Sequence, residues 1–350
     1  MNINRGFLNV MILSWGFMLV FTAFQTMGNI QKTVLESISE DDPDFHGEGY
    51  LSLSIIYASF ALCNWLAPSF ISMTGPRTSI VVGCSCYVFF IASFLWPRTE
   101  LLYFASAFVG IGAALAWTGQ GLFLTINSDG RTMSRNSGLF WAIFQSSLFI
   151  GNIFVFFAFR EPKINAHQRS LVFKVLTGVS VAGLGLLFAL RRPPQPSSLG
   201  PAEGVSSADK ELQIPEQPKE RPLPAAWRAF GDAVALFFTA RMLVLTLTFI
   251  YTGLVLTFLS SVYSSSIGFT KAMGDDRKRL IGLSGICIGI GEVFGGAMSG
   301  LLASRCRSGC GDSGTSVVLA GFGTHLFSFL VALLNLPNSA PFQERLLRLV

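Results

Sequence analysis

The sequence predicts an all-α, multi-pass transmembrane helical bundle, on three observations. Only 13% of its 350 residues are charged and 51% are hydrophobic, whereas soluble globular domains carry about 25% charged residues. Mean hydropathy is +0.54, with 35 Gly, and glycine is more frequent in membrane helices than in soluble ones. Nine apolar runs approach or exceed the ~20 residues that a spanning helix needs. They cover about 7–30, 51–72, 79–96, 101–124, 138–159, 171–190, 242–262, 280–303 and 317–336, and their only charged or histidine side chains are Lys174, Glu292 and His325. Buried helices of a soluble protein would need polar faces that these runs lack.

The first run is longer than the ~7–15-residue core of a signal peptide, so it reads as a retained helix. Its last third carries Thr22, Gln25, Thr26 and Asn29 on one face. A carboxamide turned to lipid would leave donors and acceptors unpaired at several kcal/mol per group. These side chains therefore face other helices or a wet cavity. The loop expected next is acidic, with Glu36, Glu40, Asp41, Asp42, Asp44 and Glu48.

The second and third runs hold Cys63, Cys84 and Cys86 in or beside apolar sequence, where they read as small hydrophobes. The fourth contains "GIGAAL" at 110–115, two glycines of a dinucleotide fingerprint without the third and without a preceding strand. It also carries Trp117, Gln120 and Gly121. Because it crosses in the opposite sense to the first run, these groups are expected towards the other membrane surface, as parts of two gates rather than one shared site.

The fifth run opens with "GLFWAIFQSSLFIGN", 138–152. Gly138, Trp141, Gln145, Leu148 and Asn152 follow one helical face, with Gln145 and Asn152 serving either as interhelical contacts or as cavity lining. Lys174, three residues into the sixth run, is expected to snorkel to the interface.

Residues 1–190 thus read as a six-helix bundle. Residues 191–241 change character: eight of the fifteen prolines lie between Arg191 and Pro224. Such a stretch buries too little apolar surface to offset its ordering entropy and reads as a disordered cytosolic linker. Residues 242–336 form a three-helix partial second bundle, and 337–350 a short polar tail.

In the eighth run, Gly285, Gly289, Glu292, Gly296 and Gly300 share a face. Small residues four apart let helix backbones approach closely, so Glu292 is expected in a helix contact. A carboxylate at mid-membrane is a functional candidate by default, here as a carrier of a proton coupled to solute movement or as a structural acid. His325, in the ninth run, either relays that proton or bonds a backbone carbonyl.

Cys306 and Cys310 lack a second pair or a neighbouring histidine to complete a metal site. No HExxH, GxSxG or P-loop occurs, so neither an enzyme, a metal nor a cofactor is expected. The net charge of +5 is dispersed among loops and does not suggest nucleic acid. Basic residues divide almost evenly between the two sides. A cytosolic N-terminus is the expectation, aided only by the acidic first loop.

A weak repeat relates the two bundles. "FTAF" at 21–24, "LSLS" at 51–54 and "TSIVVG" at 78–83 resemble "YTGL", "IGLS" and "TSVVLA", each roughly 230 residues later and in the same order. On this reading helices 7–9 repeat helices 1–3, and counterparts of helices 4–6 are missing from the chain as it stands. The stretch "WTGQGLFLTINSDGRTMSRNSGLFWAIFQSSLFIGN", 117–152, with "FTAFQTMGNI" and "GLSGICIGIGEVFGG", resembles the Unc-93-like family, a branch of the major facilitator superfamily. The resemblance implies a twelve-helix plan of two six-helix halves, cytosolic termini and alternating access around a central cavity. The last three helices of that plan are missing here. The expected partners are the lipid bilayer and either a small solute or another membrane protein. The functional expectations are a solute carrier, a non-transporting regulatory or trafficking subunit, or an inactive truncated isoform.

Overall fold

A computed structural model describes residues 5–130, 132–159, 164–191, 222–270, 273–274, 277–306 and 313–335. All regular structure among the described residues is helical. Six helices are long and apolar enough to cross a membrane, or seven if one bent pair is a single span. The chain is therefore an all-α, multi-pass membrane bundle.

Helix α1, Arg5–Asp41, has 37 residues and is about 55 Å long. It outruns its apolar stretch by three turns, because those turns have tertiary partners. Gln31 Nε2 donates to Ser52 Oγ at 2.7 Å, and Ser52 lies 2.8 Å from Ser106 Oγ. The buried Arg169 guanidinium donates to Ser37 O and to Asp41 Oδ2. Glu36, Glu40 and Asp41, expected in a loop, thus belong to a helix. The second apolar run is broken into α2 (Gly49–Asn64) and α3 (Ala67–Thr74), bent by 63°. Pro68, within the first turn of α3, has no N–H to continue the preceding ladder.

Helices α4 (Pro76–Ser93), α5 (Thr99–Ile126), α6 (Met133–Ala158) and α7 (Ala166–Phe188) complete the first bundle. Gly75, at φ +81°, turns the chain between α3 and α4, a conformation that favours glycine. α1 packs on α6 and α7, α4 on α5 and α7, and α2 on α5. Glycines permit the closest approaches. A β-carbon on Gly83 would fall 2.4 Å from Gly112 O, and one on Gly183 2.8 Å from Val20 N. The centre is aromatic: Phe21 packs against Tyr87 at 4.7 Å and against Trp117 and Phe144 at 5.1 Å.

The stretch read as linker contains a helix, α8, Pro222–Phe237. Its prolines sit where a first helical turn tolerates them, and its apolar residues recur at helical spacing. Residues 192–221 of that stretch, and the tail from 336, lie outside the described residues. The seventh run continues as α9 (Ala240–Thr257), a π-helical segment (Phe258–Tyr263) and α10 (Ser264–Phe269). Helices α11 (Arg277–Cys306) and α12 (Ser313–Asn335) coincide with the eighth and ninth runs. α11 packs along α6, α10 packs on α11, and α12 touches α11 only lightly.

Candidate functional site

α1 and α6 run side by side in a constant register. Phe17 meets Phe140 and Phe21 meets Phe144. Over the next two turns, the same register becomes polar. Ser147 Oγ donates to Gln25 Oε1, and Asn29 Nδ2 donates to Asn152 Oδ1 at 2.6 Å across 123 residues of sequence. The α1–α6 seam thus passes from an aromatic half to a hydrogen-bonded half. Between the two polar pairs, Gly151 leaves room for Thr26, whose hydroxyl a side chain at 151 would overlap.

α11 closes over the polar half. Its glycines rest on successive turns of α6: Gly282 against Phe156, Gly285 against Asn152 and Gly289 against Phe149. The two helices are therefore antiparallel, with glycine backbone laid on α6 itself, as small residues allow in membranes. Asn29 Nδ2 also donates to Ile281 O at 3.1 Å, while Asn152 Nδ2 donates to Leu148 O at 2.8 Å. Asn29 therefore links α1 to both α6 and α11. Ser284 Oγ donates to the same Ile281 carbonyl and lies 3.0 Å from Ser264 Oγ of α10. At one end of the seam the Arg279 guanidinium lies 4.1 Å from the Phe156 ring centroid, a cation–π contact.

Gln25, Asn29 and Asn152, each expected to face other helices or a cavity, lie on one seam together with Ser147 and the Ile281 carbonyl, which the sequence reading did not name. Gln145 is half-buried one to two turns away on α6. Extending the α6–α11 register by about one turn sets Glu292 level with Gln145. Glu292 Oε2 is buried and has no hydrogen-bond partner among the described residues. Gln120 is buried elsewhere, on α5 one turn from Trp117, which packs on Phe17 and Phe21. His325 lies on α12, with Nδ1 2.9 Å from Tyr251 Oη of α9. The partner there is a tyrosine hydroxyl, where proton relay and a bond to a backbone carbonyl are the two expectations from the sequence.

Of the packing glycines, Gly285 and Gly289 lie in the seam against α6. Gly291 and Gly295, which the four-residue spacing also singles out, have open space where a β-carbon would stand. The surroundings of Gly296 and Gly300 lie outside the described residues. Among the described residues no group of three or more His, Cys, Asp or Glu is placed to hold a metal.

Two polar closures flank this region, and the sequence reading passed over both. Asn9, fully buried, donates to Asn127 Oδ1 at 2.7 Å and to Arg191 O at 3.2 Å, and accepts from Arg191 N at 3.1 Å. It ties the start of α1 to the ends of α5 and α7. At the other end, Arg169 is held by Asp41 at 2.7 Å and by the carbonyls of Ser37 and Ile164. Recesses open beside each closure. One of about 180 Å³ lies beside Phe7, Asn127 and Arg135, and one of about 600 Å³ beside Lys32, Glu36 and His46.

Comparison with known proteins adds a lineage. The family model described as "Ion channel regulatory protein UNC-93" matches residues 44–345. The chain is 41% identical to the UNC93-like protein MFSD11 of Xenopus laevis over 98% of its own length and 75% of that protein's. It is 28% identical to protein unc-93 homolog A of Bos taurus, over 94% of its length and 74% of the relative's. Against UNC93-like protein 3 of Arabidopsis thaliana the identity is 26%, over 93% and 66% respectively.

Proposed function

Because the chain belongs to the UNC-93 family of multi-pass membrane proteins, we propose that it works as a solute-carrier-type protein by alternating access, α11 moving against α1 and α6. The observation that carries this reading is Asn29, which bonds across to both Asn152 and Ile281 O. A seam joined by carboxamides and bare glycine backbone exchanges its contacts for water at low cost. Interhelical hydrogen bonds in membranes are worth only about 0.6 kcal/mol on average, whereas opening an apolar seam to water loses about 25 cal/mol for each Å² exposed. Gln145 and Glu292, level with one another along the same seam, are the groups a passing solute would meet. Repacking of one helix group against another around a mid-membrane site is the general manner of such carriers.

The test is accessibility from both sides. With the native cysteines replaced, a cysteine at Gln25 is probed by a membrane-impermeant thiol reagent applied to either face of the membrane. A second form carries an added Phe156–Gly282 cysteine pair, where a β-carbon on Gly282 would fall 3.2 Å from Phe156 Cβ, a few tenths of an ångström short of the usual disulfide spacing, oxidised to lock the seam. Alternating access requires reaction from both sides in the free form and from one side in the locked form. Reaction from a single side in both forms would overturn it.

A second reading, a regulatory subunit of another membrane protein, is favoured by the family model's description and by the outward faces of α9 and α12, where Leu247, Leu254, Phe327 and Leu333 are exposed. A stoichiometric membrane partner that copurifies with the chain, together with one-sided accessibility at residue 25, would favour it over the carrier.

A further inference from the structure

The helix inside the linker, α8, has a place in the fold that composition alone hides. Ala226, Phe230 and Phe237 share its more buried face, and α8 packs on α3. Ser69 Oγ of α3 donates to Ala226 O at 2.8 Å, and the Trp65 ring meets Phe237 at 5.2 Å. At about 100° per residue, Trp227 and Leu236 fall on opposite flanks of this docked strip, and both are exposed, by 70% and 57%. Arg228 and Asp232 occupy the edge facing away from α3. The apolar arc is therefore wider than the strip that is covered, and its exposed edges, Trp227 and Leu236, lie on both sides of the contact.

Two neighbours fix where this helix sits. α3 is the bent end of the second span. Only Phe238, itself exposed, and Thr239, whose hydroxyl accepts from Met242 N, separate α8 from α9, a span that is almost wholly unburied. A helix held between the end of one span and the start of another stands at the membrane boundary, and its exposed apolar flanks continue the lipid-facing surface of α9. We infer that α8 is an in-plane amphipathic helix whose Trp227 and Leu236 flanks bind the headgroup–acyl boundary of the bilayer, seating the end of the linker on the membrane surface against α3. Tryptophan is enriched at that depth, and helices of this kind bury their apolar face about 5–10 Å into the boundary.

The experiment uses the full chain in phosphatidylcholine vesicles, with native cysteines replaced and single nitroxide labels placed at Trp227→Cys, Leu236→Cys or Asp232→Cys. None of these replaces a residue docked on α3. Collisions with oxygen and with a water-soluble nickel chelate report depth. At 227 and 236 the oxygen-to-nickel collision ratio should exceed that at 232 several-fold. A ratio at 227 and 236 no greater than at 232 would place the flanks in water and overturn the inference. Protection of both from oxygen and nickel alike would mean that a protein surface covers them, and would also overturn it. As a check without labels, phosphatidylcholine brominated near the headgroup should quench tryptophan emission more in the otherwise native chain than in Trp227→Phe. Equal quenching would count against lipid contact even if a cysteine variant failed to fold.

Discussion

Gly285 lies directly against the side chain of Asn152: a β-carbon at position 285 would fall 2.3 Å from Asn152 Cγ. The carboxamide cannot easily retreat, because its oxygen accepts from Asn29 and its nitrogen donates to Leu148 O. Gly285→Ala must therefore push α11 off α6 or break those bonds. Overpacking of this kind costs about 1–3 kcal/mol. Thermal unfolding in detergent should show Gly285→Ala clearly destabilised. Gly295→Ala, with open space around it, should stay within about 0.5 kcal/mol of the parent.

The Asn29–Asn152 pair should couple weakly. Asn29→Ala, Asn152→Ala and the double variant, measured by reversible unfolding, should give an interaction energy near 0.6 kcal/mol and below about 1.7 kcal/mol. A value of several kcal/mol would mean that the seam is a rigid strut, in conflict with a moving α11.

Asn9→Leu should cost more than either. It leaves the Arg191 N–H and C=O without their partner and removes the bond to Asn127. An unsatisfied buried backbone group costs about 1–3 kcal/mol. The predicted readout is faster proteolysis just beyond residue 191 together with a lower unfolding temperature, and unchanged cleavage would contradict the closure described.

Arg169→Lys should be only a partial replacement. The guanidinium reaches Asp41, Ser37 and two backbone carbonyls at once, a fork that one ammonium cannot reproduce. The expected order of stability is native, then Asp41→Asn, then Arg169→Lys, then Arg169→Met. The first change is mild because the Asp41 side chain is 40% exposed and exposed ion pairs contribute little. An Arg169→Met chain as stable as the Asp41→Asn one would show that the buried bonds, not only the ion pair, are dispensable.

The membrane class and the approximate spans were legible because a run of apolar residues reports its own burial. What was not legible depended on partners distant in sequence. Nothing in "QKTVLESISED" announces a helix; its turns are held by Ser52 and Arg169. The break after Asn64 hides within a continuous apolar run, with Pro68 the one available signal. Composition averaged over residues 191–241 drowned the helical spacing of Ala226, Phe230 and Phe237. At the site, the polar faces of α1 and α6 picked out Gln25, Asn29 and Asn152, since lipid forbids unpaired carboxamides. They did not identify Ser147 or Asn9, because a lone small polar residue in an apolar run is usually unremarkable. Four-residue glycine spacing alone does not say which side of a glycine-rich helix is packed: Gly285 and Gly289 meet α6, whereas Gly291 and Gly295, also four apart, do not.

The π-helical segment at Phe258–Tyr263 is, in terms of insertion and deletion, the place where this helix carries a spare residue. A π turn accommodates one residue more than an α turn, so α9 before it and α10 after it keep their own facings, and Ser264 reaches Ser284. Deleting one residue within 258–263 would restore a regular helix and leave those serines in place. Deleting one elsewhere in α9 or α10 would rotate everything beyond it by about 100° relative to α11. Length variation in this span should therefore be tolerated at that one turn and nowhere else along it.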